Sequence, residues 1–318
     1  MSNSGKVEAL VPRSLCKIEN RDNLNIDFED LCSVSISWEN GFVSELKPLK
    51  IKNKKPNNIL FPRFVEAHSH IDKSFSWLSF PNLKSNYENA LSVNLEEHIT
   101  RTSTTVIDRA EKSLNLAIDN GYRAIRTHVD TYSSQDQQIW PELFELRQKY
   151  LNLLTIQFVA LAPLEFWSTK NGEELASIFK KSGDIIGGVV VPPFNNQKLR
   201  KLLKNLIVLA SKHKLDIDLH IDESSKSPGE GIKLLLEIIK KLQCKVPITC
   251  SHLSSISLLK NREIKKLSKK MVENNIKVIA LPITNFWLLN RDENIDPIKR
   301  PVAPIKQLQN FFVDVSIG

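Results

Sequence analysis

Histidines are the residues of this 318-residue chain whose spacing points most directly to chemistry. Five of the seven stand at or just after the ends of apolar runs, namely His68, His70, His128, His220 and His252. His98 and His213 instead fall in segments with a helical pattern, and we expect them to face solvent. Neutral imidazole binds zinc and ferrous iron, and histidine is also a general acid or base. The sequence therefore predicts a metal-assisted site.

The spacing of two groups of these residues adds detail. His68 and His70 are separated by one residue directly after an apolar run, so both side chains point to one face and can bind one ion. A single histidine at a strand end is more often structural, but here His220 and Glu223 form a second group at another strand end. Glu223 could carry protons between water and substrate, although a solvated loop carboxylate is equally compatible with its spacing. His252 could hydrogen-bond the attacking water or the developing negative charge.

The elements that must position these residues alternate between strands and helices. Eight apolar runs predict strands at Phe64–Ala67, Ala124–Val129, Leu153–Leu161, Ile185–Val191, Ile217–Ile221, Val246–Cys250, Lys277–Leu281 and Phe312–Ile317. Helical patterns lie between most of them, at Leu95–Asp119, Asn171–Lys181, Gln197–His213, Gly231–Leu242 and Leu258–Asn274. This alternation predicts parallel strands joined by crossover helices.

Two α/β architectures fit such an alternation, an open doubly wound sheet and a closed (β/α)₈ TIM barrel. Eight repeats over about 250 residues favour the barrel. No GxGxxG motif follows the first strand, which disfavours dinucleotide binding. In a barrel the active site is built at the carboxyl ends of the strands, which is where the five histidines fall.

The N-terminal segment has a different pattern. Ser33–Trp38 alternates apolar and polar residues, and Asn40-Gly41 and a second apolar run follow, which predicts a β-hairpin. We therefore expect two domains: residues 1–60 form a small β segment, part of a β-sandwich domain. Residues 61–318 form a metal-dependent hydrolase barrel that ends at strand 8.

Composition and charge exclude several other classes. The net charge is +8, but the lysines are scattered in loose clusters such as Lys50, Lys52, Lys54 and Lys55, without interleaved aromatic residues, which disfavours nucleic-acid binding. No apolar run of about 18 residues exists, and the N-terminus lacks a signal-peptide pattern. The four cysteines form no CxxC pair. We expect a cytoplasmic protein without nucleic-acid or membrane partners.

Several segments resemble one known family. FPRFVEAHSHIDKSF resembles the first-strand motif of the amidohydrolase superfamily. YRAIRTHVD, LHIDES, ITCSHLSS, LPITNFWLLNR and RPVAPIKQLQNFFVDVSIG resemble its cytosine deaminase-like branch, in the same order and across nearly all of the chain from residue 58. The N-terminal segment resembles part of the small sandwich domain of that family.

The resemblance implies a site and an activity. It implies that His68, His70 and His220 bind one divalent metal ion, Fe²⁺ or Zn²⁺. It implies that Glu223 is the proton shuttle and that His252 assists the attacking water. His128 and Asp222 would lie beside the metal ligands without binding the ion. The implied reaction is hydrolysis of a C–N bond in a small cyclic amidine or amide, with release of ammonia or an amine.

Two positions depart from the family pattern. The fourth metal ligand of the family, an aspartate after the eighth strand, would fall just beyond Gly318, and Asp314 cannot replace it if it lies within that strand. A non-catalytic or degenerate barrel is therefore the alternative, and apolar surface left open at the last strand could favour a homo-oligomer. Leu164 stands where cytosine deaminases place a glutamine that reads the pyrimidine, and leucine has no donor or acceptor. We expect Leu164 in the substrate-binding site, and ring amidines of the triazine or creatinine type fit as well as cytosine.

Overall fold

The structure, a computed structural model, describes residues 4–16, 25–27, 29–49, 55–132, 136–289 and 301–318, with only the backbone at residue 137. These residues divide into two compact units, Met1–Arg63 and Phe64–Gly318. Lys50, Lys52 and Lys54 lie outside the described residues, as does the end of the segment LPITNFWLLNR.

The first unit is a three-stranded antiparallel sheet. Its strands are β1 (Ser4–Pro12), β2 (Leu31–Glu39) and β3 (Phe42–Pro48). The predicted hairpin joins β2 to β3, and its two turn residues, Asn40 and Gly41, have φ of 52° and 80°. A two-residue hairpin turn requires positive φ, which asparagine and glycine tolerate. The strand β1, which the sequence did not single out, pairs with β2 along its whole length.

The second unit contains eight parallel strands in the order of the sequence. They are β4 (Phe64–Ser69), β5 (Tyr122–Asp130), β6 (Thr155–Leu161), β7 (Ile185–Val190), β8 (Ile217–Ile221), β9 (Ile248–His252), β10 (Ile276–Ala280) and β11 (Val315–Ile317). The sheet curves until its first and last strands approach each other: a β carbon on Gly318 would lie 3.0 Å from His68 Cβ. The predicted (β/α)₈ barrel is confirmed as a nearly closed barrel.

Helices follow most of these strands. They are α1 (Tyr87–Thr100), α2 (Ser103–Asp119), α3 (Trp140–Lys149), α4 (Lys170–Ser182), α5 (Gln197–His213), α6 (Glu230–Leu242), α7 (Asn261–Glu273), α8 (Pro282–Leu288) and α9 (Ile305–Asn310). Their apolar sides and the strands share one core of buried leucine, isoleucine, valine and phenylalanine side chains. None of the described helices is both long enough and apolar enough to cross a membrane.

The helix predicted over Leu95–Asp119 is wrong, because the chain breaks between α1 and α2. Arg101 is extended, with φ of −70° and ψ of 135°, and Thr102 starts α2 through a capping box with Thr105. The buried Arg101 guanidinium donates hydrogen bonds to Asp72 and Glu97. The break therefore coincides with the capping box of α2 and with an ion pair from Arg101 to the distant Asp72, and neither glycine nor proline marks it in the sequence.

The two helical histidines do not face solvent as expected. His98 Nε2 lies 3.2 Å from Asp136 Oδ1, and its side chain is only 17% exposed. His213 Nε2 lies 2.6 Å from Glu173 Oε1, with its side chain 12% exposed. The helical placement is right, but acidic partners on neighbouring elements cover both rings.

Candidate active site

Five imidazole rings meet at the carboxyl end of the barrel. His68 is on β4 and His70 follows it, while the other three are His128 on β5, His220 on β8 and His252 on β9. The ring centroid of His68 is 4.0 Å from that of His128 and 4.7 Å from that of His220, and His220 is 5.0 Å from His252. The carboxyl ends of parallel strands share one rim, which brings together side chains up to 184 residues apart.

The ring nitrogens are placed as ligands of one ion would be. His70 Nε2 lies 3.3 Å from His220 Nε2. Two ligands at about 2.0–2.1 Å from a tetrahedral zinc ion would be separated by about 3.3 Å. Two sets of three histidines, His68 with His220 and His252, and His68 with His70 and His128, each offer nitrogens within 4.8 Å of one another, and neither set is the triad His68, His70 and His220 that the resemblance implies.

Several of these nitrogens are buried and lack a protein partner. Within the described part of the chain, His70 Nδ1, His220 Nδ1, His252 Nε2 and both nitrogens of His128 have no hydrogen-bond partner. Buried polar atoms are nearly always hydrogen-bonded, so such a concentration is typical of a site built for a ligand.

Burial favours the neutral form, which binds metals, in four of the rings. Burial, reinforced by the neighbouring histidines, holds the pKa of His68 and His220 well below the usual value, and burial together with Lys73 does the same for His70. Burial lowers the pKa of His252 to about 3. Neutral imidazole is the ligand form, so these residues fit a divalent metal ion.

Glu223 follows β8 and points into the same cluster. Its side chain is 10% exposed, and its Oε1 lies 3.2 Å from His252 Nδ1. Burial raises the pKa of Glu223 to about 8. A carboxyl group that titrates near neutral pH can both accept and donate a proton in one reaction cycle. Glu223 is thus not a solvated loop carboxylate, and its geometry suits proton transfer.

Asn285 is a site residue that the sequence did not reveal. It lies fully buried on α8, with its Nδ2 3.0 Å from His252 Nδ1 and 3.5 Å from Glu223 Oε1. An amide that donates to His252 Nδ1 leaves the hydrogen of that ring on Nε2, which is the nitrogen without a partner. The only sequence signal was a polar residue inside the apolar segment LPITNFW.

Replacing Asn285 by alanine is expected to lower kcat about 10- to 100-fold, because His252 and Glu223 lose the group that orients them. Metal content should not change. The check is kcat by ammonia release together with elemental analysis, with the exposed Asn120→Ala as the control. An unchanged kcat would contradict this role, as would a loss of metal that accounts for the lost turnover.

Asp222 is next to Glu223 in the sequence, but its carboxylate hydrogen-bonds to the backbone at the start of α6. Its two carboxylate oxygens accept the backbone N–H groups of Gly231 and Ile232, at 3.0 and 2.8 Å, in the first turn of α6. Its own φ is 56°, a left-handed conformation that aspartate tolerates. Burial raises the pKa of Asp222 to about 6. The residue therefore shapes the loop that carries Glu223, and its predicted place beside the metal ligands stays a prediction.

Leu164 and Asp314 are two further positions that the sequence analysis considered. Leu164 follows β6 and is buried in the core, where a β carbon on Gly188 would lie 2.8 Å from its Cδ2. Asp314 precedes β11 rather than lying within it, and it faces Lys277 at 3.9 Å. The apolar run Phe312–Ile317 begins with a turn residue that follows α9, and only Val315–Ile317 forms the strand. Asp314 therefore lies just before the amino end of β11. The expectation that Asp314 lies within the strand is therefore wrong, although it remains distant from the carboxyl rim.

A buried ionic network supports the turn after His70. Lys73 Nζ donates to both carboxylate oxygens of Asp130, at 2.9 and 3.0 Å. Asp72 Oδ2 accepts from Arg101 NH1 at 2.9 Å and from the Asp130 backbone N–H at 3.0 Å. Asp72, Lys73 and Asp130 stand in the segments HSHIDK and THVD, but the sequence does not indicate which of these side chains form ion pairs.

Two curated proteins are similar to this chain in sequence. No protein-family model matches the chain. A pterin deaminase from Rhizobium rhizogenes is 25% identical over 298 residues, which cover 91% of this chain and 68% of the relative. An N-isopropylammelide isopropyl amidohydrolase from Pseudomonas sp. is 26% identical over 201 residues, 61% of this chain and 50% of that protein.

A solved structure shares the fold. The 5-methylcytosine deaminase from Klebsiella pneumoniae, liganded with phosphonocytosine, superposes with a TM-score of 0.77 at 20% identity, over 99% of this chain and 75% of that one. At this identity the likeness is one of fold.

Proposed function

We propose that the chain is a member of the amidohydrolase superfamily, in its cytosine deaminase-like branch, and that it hydrolyses a C–N bond of a cyclic amidine or amide, releasing ammonia or an amine. The observation that carries this proposal is the cluster of histidines at the carboxyl end of the barrel, with the Glu223 carboxyl group 3.2 Å from His252. Hydrolysis of an amidine needs an activated water and a group that moves protons, and the cluster offers residues for both.

Each residue has a defined task in this reaction. His68, His70 and His220 would hold a divalent ion, Zn²⁺ or Fe²⁺. When bound, such an ion lowers the pKa of water and so supplies a nucleophile at neutral pH. Glu223 takes a proton from the attacking water and passes it to the ring nitrogen as the C–O bond forms. It then takes the remaining proton of the added hydroxyl and delivers it to the departing amine, as the C–N bond breaks and the carbonyl forms. His252 would hydrogen-bond the oxygen that adds to the ring carbon.

The substrate would enter through a cavity that begins at Glu223. It has a volume of about 420 Å³ and lies between Tyr87 and Leu91 of α1, Pro192 after β7, and Leu288 of α8. Small-molecule sites are typically of this size, with mainly apolar walls and a few polar groups. These walls suit a planar aminated ring that is larger than one pyrimidine or that carries an apolar substituent.

The names of the two sequence relatives refer to a pterin and to an isopropyl-substituted ammelide. We therefore propose that the substrate is a small molecule of the cytoplasm, and that a pterin-like bicyclic ring is the first substrate class to test. The test is kcat/KM for ammonia release from pterin and from cytosine, measured with the full 318-residue chain. A higher value for pterin supports the proposal, and ammonia release from cytosine alone would overturn this substrate class.

Replacing Leu164 by glutamine tests whether this position reads the ring. The buried amide would find an apolar environment, so we expect the free energy of unfolding to fall by about 1–3 kcal/mol. If the position faces substrate, the ratio of kcat/KM for cytosine over pterin should rise. Chemical denaturation and the two kcat/KM values check this, with the near-isosteric Leu164→Met as the control. An unchanged ratio would show that the substrate is read elsewhere.

A further inference from the structure

A continuous row of polar side chains crosses the barrel interior behind His68. Arg126 NH1 on β5 donates to Asp218 Oδ2 on β8 at 2.9 Å. Asp218 Oδ1 accepts from the Ser251 hydroxyl on β9 at 2.8 Å, and Ser251 Oγ lies 3.0 Å from His68 Nδ1 on β4. Asp218 and Ser251 are fully buried. Four strands thus contribute to a single row that ends on a predicted metal ligand.

The direction of each hydrogen bond in this row follows from the number of available hydrogens. The Asp218 carboxylate, paired with the Arg126 guanidinium, can only accept. A serine hydroxyl has one hydrogen, and Ser251 gives it to Asp218. Ser251 can then only accept from His68, so the hydrogen of that imidazole must be on Nδ1. The Nε2 lone pair remains free to bind a metal ion.

The far end of the row is fixed on several sides. Arg126 Nε donates to Gln157 Oε1 at 2.9 Å, and its NH1 also lies 3.3 Å from Thr249 Oγ1. Asp218 Oδ1 also faces His128, whose Nε2 is 3.5 Å away. The guanidinium cannot turn away from Asp218 without breaking contacts with β6 and β9, so the orientation of the carboxylate is determined by the scaffold.

We propose that Arg126, Asp218 and Ser251 are positioning residues that fix the tautomer of His68 and thereby its ability to bind metal. The proposal rests on the metal site of the proposed function. An ion pair that only stabilised the barrel would not require a hydrogen bond to Ser251. This serine donates its one hydrogen to Asp218 and can then only accept a hydrogen bond from His68. Residues that hold the second nitrogen of a metal-binding histidine typically change metal affinity 10- to 100-fold when replaced.

Two substitutions alter the row in different ways. In Asp218→Asn the amide can donate to Ser251, which frees the hydroxyl hydrogen for His68 Nδ1 and favours the opposite tautomer. In Ser251→Ala the acceptor for Nδ1 is lost, so both tautomers become populated. Ser268→Ala is the matched control, because Ser268 is also a buried serine but donates to Ile264 O within α7.

The experiment is ¹⁵N NMR of histidine-labelled full-length chain after treatment with a chelator, with the His68 signals assigned by comparison with His68→Gln. We expect the Nδ1–H tautomer in the parent and in Ser268→Ala, and a shift toward the Nε2–H tautomer in Asp218→Asn and Ser251→Ala. The dissociation constant for Zn²⁺ should rise about 10- to 100-fold in the same two variants. Circular dichroism shows that each variant is folded.

Two results would overturn the proposal: an Nε2–H tautomer in the parent, or an unchanged tautomer and unchanged Zn²⁺ affinity in either folded variant. Neither readout uses a substrate. A parent chain that binds Zn²⁺ with the expected tautomer but releases no ammonia would therefore overturn the hydrolase and support the positioning role.

Discussion

Replacing Glu223 by glutamine should lower kcat by about 10²- to 10⁴-fold while the metal content stays at that of the parent. Glutamine keeps the size of the side chain and one carbonyl oxygen, but it cannot take up and release a proton. The Glu223 carboxyl is well suited to that task because burial raises its pKa to about 8 and its Oε1 lies 3.2 Å from His252 Nδ1. The measurement is the rate of ammonia release at saturating substrate, with elemental analysis of the same sample.

A matched control is Glu230→Gln, on an exposed glutamate that lies in the first turn of α6 and pairs with Lys233. This variant should keep the parent kcat, since the residue lies outside the histidine cluster. If Glu223→Gln releases ammonia at the parent rate, Glu223 is not the proton shuttle. If it loses its metal instead, its role is in metal binding.

The second large effect is expected from removing a metal ligand. His220→Ala should reduce bound metal from about one ion per chain to nearly none, with affinity lowered at least about 100-fold. His220 is central to the cluster: its Nε2 is 3.3 Å from His70 Nε2, and its ring contacts His68, His128 and His252. Elemental analysis after dialysis measures the content, and His68→Ala should give the same result.

Thermal or chemical unfolding supplies an independent readout of the same substitution. A ligand at 100 times its Kd stabilises the folded state by about 2.7 kcal/mol, so the parent should gain this much with metal and His220→Ala should gain almost nothing. His213→Ala is the control, because His213 pairs with Glu173 on the outer helices. Stoichiometric metal in both His68→Ala and His220→Ala would contradict the site.

Several strands of the barrel could be predicted from the sequence because they are short, nearly continuous apolar runs. The runs at Ile185–Val191 and Ile217–Ile221 match β7 and β8 to within one residue. The break at Arg101 could not be predicted in this way, since it coincides with ion pairs to Asp72 and Asp130, 29 residues away in opposite directions. A local sequence pattern does not indicate an ion-pair partner that is 29 residues away.

The histidine cluster was accessible from the sequence for a related reason. Once the strands are parallel, residues at their carboxyl ends must meet, so five histidines at five such positions predict one site. Asn285 and Ser251 were not predicted, because their roles depend on which way a side chain points across the barrel. The solvent exposure expected for His98 was wrong for the same reason, since Asp136 reaches it from another element.

The most direct test of the central claim is a titration of metal-depleted chain with Zn²⁺ or Fe²⁺ while ammonia release from pterin is followed. We expect the rate to rise with added metal and to level off at about one ion per chain. Product release that is independent of metal would contradict the proposed function. So would the absence of ammonia from pterin and cytosine together with the absence of alkylamine from N-alkylated aminotriazines when one ion per chain is bound.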